Sequence, residues 1–255
     1  MRALYLDCFA GISGNMFVGA LLDLGVPEEQ LRKELAKLPI GGYDLVIKKV
    51  TKLGIQATYF NVKLGWFPRK YRYLPDILEL INHAPLDEQI KVKSKHVFCR
   101  LAEAEAKVHG IAVDKVHFHE IGAVDTIVDI VGTVFGLRFL GIEQIFASKL
   151  YTGKGFVKCS HGVMPIPAPA TAELLRGIPY EPGEIEREMV TPTGAALVAT
   201  LCTNTQGMPT DFVSEKNGYG AGTWDVKIPN TLRAVLGVTN VQVRIEQRKN
   251  TAGLS

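Results

Sequence analysis

The spacing of apolar positions changes period several times along the chain, and each change predicts an element. RALYLD at residues 2–7 predicts a short strand. After CFAGISGNM, apolar residues recur at helical spacing through Leu24, Gly25 stops the run and Pro27 lies beyond. Residues 43–50 and 55–64 alternate with period two, which predicts a strand pair turned at Lys52, Leu53 and Gly54. GWFPRKYRY at 65–73 reads as an irregular basic-aromatic loop. Helices are expected over about 74–83 and 87–109, with Pro85 between them and Gly110 closing the second. Residues 115–119 show β-like alternation, whereas 121–140 are apolar nearly all round and predict a buried helix.

The second half follows the same logic. Strands are expected at 144–151 and 154–159. VMPIPAPATAELLRG is a proline-ruled loop that enters a helix near Pro169. TPTGAALVATL, 191–201, predicts a helix with Thr191 as N-cap and Pro192 in its first position. KNGYGAGTWD reads as a glycine-rich loop, and 231–237 with 240–247 as a final strand pair. The last residues, 249–255, read as a frayed tail. The expected class is α/β (mixed α+β): a mixed sheet with packed helices and one buried central helix at about 121–140. Strict βαβ alternation is missing, so a Rossmann domain is not expected. The expected unit is 1–248, with a sub-boundary in the loop at 65–73 or near 150.

Composition narrows the class only a little. The chain has 255 residues, 47% of them hydrophobic and 22% charged, the balance of an ordinary globular protein. A net charge of +3 is too small to argue for nucleic acid or an anionic membrane. No run of about 18 apolar residues is free of charge, so no membrane span is expected. MRALYLDCFAG has no long apolar segment, so no secretory signal is expected either. With Cys8, Cys99, Cys159 and Cys202 in no C-x-x-C pair, reduced thiols in the cytoplasm are the expected state.

The chemistry concentrates in VHFHEIGAVDTIVDIVG, 116–132. In an extended segment His117 and His119 share a face, and Asp125 and Asp129 share one at i, i+4 on the helix that follows. With Glu120 they form an imidazole–carboxylate set suited to nickel, zinc, iron or manganese. A structural account uses the same residues. Glu120 would sit at a helix N-terminus, the aspartates would pair with Arg or Lys, and one histidine would be core. Spacing alone leaves both open. In DCFAGISGNM a strand ends at Asp7, a further candidate metal ligand, and Gly11, Ser13 and Gly14 open a helix whose free N–H groups suit an anion. In GKGFVKCSHGVMPIPAPAT, His161 stands in the stiffened loop as another candidate ligand, while Lys154, Lys158 and Ser160 could meet an anionic substrate. Thr191 and Thr193 offer a second anion site at a helix start, with Glu188 just upstream. No G-x-S-x-G elbow or Walker loop occurs.

DCFAGISGNM, VHFHEIGAVDTIVDIVG, HGVMPIPAPATAELL, TPTGAAL and GYGAGTWD, in this order, resemble the LarC family of nickel insertion proteins across nearly the whole chain. The resemblance implies nickel insertion into pyridinium-3,5-bisthiocarboxylic acid mononucleotide, the precursor of a nickel-pincer cofactor, by a chelatase of the lyase class. It implies Ni²⁺, CTP and a divalent metal such as Mn²⁺. It also implies a C-terminal CTP-binding domain that this chain does not include, so a separate C-terminal chain is an expected partner and a homo-oligomer stays open. His117, His119, Glu120, Asp125 and Asp129, with Asp7 and His161, are the expected metal set. Gly11, Ser13, Gly14, Lys154, Thr191 and Thr193 are the expected phosphate set. Two departures stand out. FPRKYRYLPDI has no histidine where the family pattern is His-rich, and Asn15 replaces a customary Asp. The competing expectations are a non-catalytic metal- or nucleotide-binding module and a metal-dependent phosphohydrolase.

Overall fold

The computed structural model describes residues 1–65, 72–118, 124–159 and 162–240. Arg2–Asp7 is β1, Gly14–Leu24 is α1 and Glu28–Leu35 is α2. Tyr43–Lys52 and Ile55–Leu64 are β2 and β3. Arg72–Tyr73 is β4, Leu74–His83 is α3 and Glu88–His109 is α4. His117–Phe118 is β5 and Val124–Phe139 is α5. Gln144–Ala147, Leu150–Tyr151, Phe156–Cys159 and Gly162–Pro165 are β6, β7, β8 and β9. Pro169–Leu174 is α6, Tyr180–Glu181 is β10, Pro192–Leu201 is α7, Val213–Ala221 is β11 and Thr231–Val238 is β12.

Local signals place most of these bounds. Gly25 takes φ 114° and caps α1 through its N–H on the Leu21 and Leu22 carbonyls. Asp87 caps α4 by accepting from the Gln89 N–H, and Gly110 ends that helix at φ 64°. Leu53 and Gly54, both at positive φ, form the two-residue turn that sets Lys52 opposite Ile55 in the β2–β3 hairpin.

The main sheet has six strands in the order β2-β3-β11-β12-β1-β6. β11 runs parallel to β3, β6 runs parallel to β1, and β12 is antiparallel to both of its neighbours. Leu4, Leu6, Phe60, Val62, Leu232, Ala234 and Leu236 belong to one continuous core with Phe17, Leu21, Ile127 and Val131. α1 lies on β3, β11 and β12, and α5 packs against α1. α4 then packs on α3, α5, α6 and α7. Burying a core side chain such as Phe17 or Ile127 stabilises the fold by about 1.5–3 kcal/mol each. Buried positions go all the way round α5, from Ile127 and Val128 to Val131 and Val134, as a central helix requires.

The mixed sheet and the buried helix agree with expectation, and three details differ. KNGYGAGTWD is not a loop throughout, because residues up to Ala221 are strand β11. Its glycines are there for packing: a Cβ on Gly220 would lie 1.8 Å from the Met16 carbonyl oxygen of α1, and one on Gly218 2.7 Å from that of Ala20. β12 pairs with β1 along one edge and β11 along the other; residues 241–247, expected as its partner, lie outside the described residues. Residues 144–151 are two strands, β6 and β7, in different sheets. α2 was not expected at all. Its only apolar signal is the i, i+4 pair Leu31 and Leu35, both 1% exposed, in an otherwise charged stretch.

Candidate functional site

The loop after β1 is joined to a distant stretch of chain. Ile12 N–H donates to the Met189 carbonyl at 2.9 Å, and Thr191 N–H donates to the Ile12 carbonyl at 3.1 Å. A Cβ on Gly11, at φ 76°, would lie 1.9 Å from the Met189 oxygen, so only glycine permits this approach. The Gly11 N–H is itself spent on the Cys8 carbonyl. Gly194, in the first turn of α7, packs as closely on Ile12 and Ser13. The starts of α1 and α7 are therefore neighbours. Thr191 caps α7 by accepting from Gly194 N–H at 3.1 Å, as its sequence position predicts. Ser13, the α1 N-cap, makes no capping bond and donates instead to Asn15 Oδ1 at 2.6 Å.

A cleft of about 460 Å³ opens at this junction. Ser13, Asn15 and Thr191 bring the two helix starts into its wall. Lys158, Arg187 and Trp224 add two cations and an aromatic surface. Glu186 and Glu188 also line it, so the charge is mixed. Beneath it, Ala10, Ile185 and Met189 form a small apolar cluster of their own, with Phe9, Val226 and Ile228 against it. This cluster ties the loop after β1, the 185–189 segment and the loop before β12 into one support.

Behind the α1 start lies the acidic pair. Asp129 faces Gly14 so closely that a Cβ there would meet its Oδ2 at 2.5 Å. The Asn15 backbone N–H donates to the Asp129 carboxyl. Asp129 Oδ1 is out of solvent reach and has no hydrogen-bond partner among the described residues. Burial pushes the Asp129 carboxyl well above the usual carboxylate range, the nearby Asp125 charge adds to this, and the Asn15 N–H opposes it. A carboxylate oxygen held from water without a donor is costly, and a proton or a cation relieves the cost.

The expected site residues divide accordingly. Asp125 and Asp129 come together, and Ser13, Gly14 and Thr191 gather at the same junction, with Thr193 buried in the first turn of α7. His117 sits in β5 opposite Tyr73, their rings 5.0 Å apart. Asp7 does not join the acidic pair. It lies on the sheet face opposite Leu4 and Leu6 and is ion-paired with Arg233, whose Nε donates at 3.0 Å. Among the described residues, no three His, Cys, Asp or Glu side chains group closely enough to hold one metal ion. His119, Glu120, Ser160 and His161 lie outside the described residues. Lys154 contributes a backbone N–H to the Ile185 carbonyl, 2.8 Å, beside the cleft. Sequence reasoning passed over Arg187, Trp224 and Asn230. The signal available was a lone tryptophan inside a glycine-rich stretch.

The fold and the cleft define a class: an α/β protein with a mixed-charge cleft at two helix starts and a half-buried acidic pair behind one of them. A family model described as nickel insertion protein matches residues 4–253, and the chain belongs to that family. It is similar to a pyridinium-3,5-bisthiocarboxylic acid mononucleotide nickel insertion protein of Desulfitobacterium hafniense (strain DSM 10664 / DCB-2), 49% identical over 237 residues, which are 93% of this chain and 58% of the relative. The protein of the same description from strain Y51 is 48% identical over 237 residues, again 93% and 58% of the two chains. That of Clostridium kluyveri is 43% identical over 262 residues, covering 97% of this chain and 65% of the relative. The chain thus spans about three-fifths of the length of the curated relatives it matches. No solved structure matches it. Among the described residues no helix is long and apolar enough to cross a membrane.

Proposed function

We propose that this chain is the nickel-handling part of a nickel insertion protein, which places Ni²⁺ in pyridinium-3,5-bisthiocarboxylic acid mononucleotide. One observation carries the reading beyond family membership. The Asp129 carboxyl rests on Gly14 and accepts from Asn15, while Ser13 and Asn15 line the cleft. A cation site and an anion site then share one helix start.

In this reading Asp125 and Asp129 hold the incoming Ni²⁺ together with ligands from the 117–120 segment, namely His117, His119 and Glu120. Binding a divalent cation there offsets the desolvation that burial imposes on the Asp129 carboxylate. Imidazole and carboxylate are harder donors than thiocarboxylate sulfur, so the metal passes to the substrate without a strong protein cage to leave. The substrate phosphate lies where α1 and α7 begin, near Ser13, Thr191 and Lys158, since helix starts favour anions. The family resemblance also implies CTP and Mn²⁺, and we assign the CTP site to the further length of the relatives. We place the reaction in the cytoplasm, where the four free cysteines stay reduced.

Calorimetric titration of the metal-free chain with Ni²⁺ tests this. Replacing both Asp125 and Asp129 with Asn is expected to weaken nickel binding by about 10–100-fold, the range seen when carboxylates around a metal are lost. Equal affinity in the double variant and the parent would sink the assignment. Hydrolysis of simple phosphate esters by the metal-loaded chain would favour a phosphohydrolase instead.

A further inference from the structure

The cleft holds a feature that neither nickel nor phosphate requires. Trp224 lines it with 46% of its surface exposed. The Arg187 guanidinium lies over the indole, 4.8 Å from the ring centroid. The backbone around the tryptophan is held firmly. Its carbonyl accepts from Lys52 Nζ at 3.2 Å and from Asn230 Nδ2 at 3.1 Å, and Lys52 also pairs with Asp225 at 2.7 Å. Asn230 is 3% exposed, and its carbonyl accepts from Gly222 N–H at 2.8 Å. The loop therefore presents a preorganised aromatic face that already carries a planar cation.

We propose that this indole face is the seat for the pyridinium ring of the mononucleotide. The inference rests on the reading above, that the cleft takes this substrate class. A pyridinium is planar, cationic and electron-poor, as a guanidinium is planar and cationic, and an electron-rich indole attracts both. The ring takes the guanidinium's place on Trp224. Arg187, displaced, pairs with an anionic group of the same ligand, for which its forked donors are suited. Ser13 and Thr191 line the same cleft, so one mononucleotide reaches from the indole to the helix starts. Trp224 and Arg187 thereby select for a charged ring over a neutral nucleobase.

The test uses the Trp66→Phe chain, in which Trp224 is the one fluorophore of its kind left of the two tryptophans. Three probes are titrated: nicotinic acid mononucleotide, uridine monophosphate and ribose 5-phosphate. Nicotinic acid mononucleotide is expected to quench Trp224 saturably and to bind about tenfold more tightly than uridine monophosphate, the scale of one cation–π contact. Calorimetry should show that Trp224→Leu removes this preference and Trp224→Phe restores part of it. Arg187→Met should weaken all three probes. Thermal melts check that the variants fold, which the exposed side chain and the backbone anchoring favour. If ribose 5-phosphate binds but Trp224→Leu leaves the pyridinium preference intact, the ring seat is wrong and the cleft reading stands. If none of the three probes binds, both fall.

Discussion

Asp23, on α1, ties three segments together. One carboxyl oxygen accepts from Lys49 Nζ and from Thr58 Oγ1 at 2.8 Å, and the other accepts from Tyr219 N–H at 2.9 Å. Burial works to raise its pKa, but hydrogen bonds from Lys49, Tyr219 N–H and Thr58 outweigh it and hold the carboxyl below the ordinary value. A depressed folded pKa adds stability above the unfolded value and loses it as pH falls through the folded one. Asp23→Asn should therefore cost about 1–2 kcal/mol at pH 7, and the gap to the parent should close below about pH 4. Urea melts at both pH values decide it; a gap that persists in acid would mean the loss is steric. At this scale sequence legibility follows distance along the chain. Thr191 is readable as a cap because its partner, Gly194, is three residues away. The contact of Asp129 with Gly14 and Asn15 is not, because nothing local links residues more than a hundred positions apart.

Among elements, β11 separates composition from structure. Gly218 and Gly220 give it the look of a loop, yet they let α1 lie directly on the strand. Gly220→Ala is expected to destabilise the fold by about 1–3 kcal/mol, because the new methyl group meets the Met16 backbone and not a movable side chain. A denaturant midpoint equal to the parent's would show that α1 can shift away. Helices with a wide apolar face, such as α4 and α5, were legible from period alone. α2 was not, because its apolar face is a single Leu31–Leu35 pair in a stretch otherwise made of Glu, Gln, Arg and Lys. Strand partners were the weakest inference. β12 reads as an apolar strand, but that reading does not say that its neighbours are β1 and β11.

For the whole molecule, the order of the sheet decides where the site can form. β12 enters between β1 and β11 only after some 230 residues, so the loop after β1 gains its support from the far end of the chain. The candidate cleft likewise draws on residues 13–16, 156–158, 186–191 and 222–230. Each of those stretches reads in sequence as a separate weak motif, and only the fold makes them one place.

The small apolar cluster under the cleft has a dynamic consequence. Ala10, Ile185 and Met189 are buried apart from the main core, so the floor can loosen without exposing Leu4, Phe17 or Ile127. Local openings of this kind draw on few contacts and need less free energy than global unfolding. In deuterium exchange, the amides of Ile12 and Met189, bonded to Met189 O and Thr152 O across the cleft floor, should exchange faster than those of Leu4 and Leu6 in β1. Equal protection would mean that floor and sheet open only as one body. Faster exchange would give the molecule a breathing mouth on a rigid frame, with a bulky ligand able to enter and leave while the sheet stays shut.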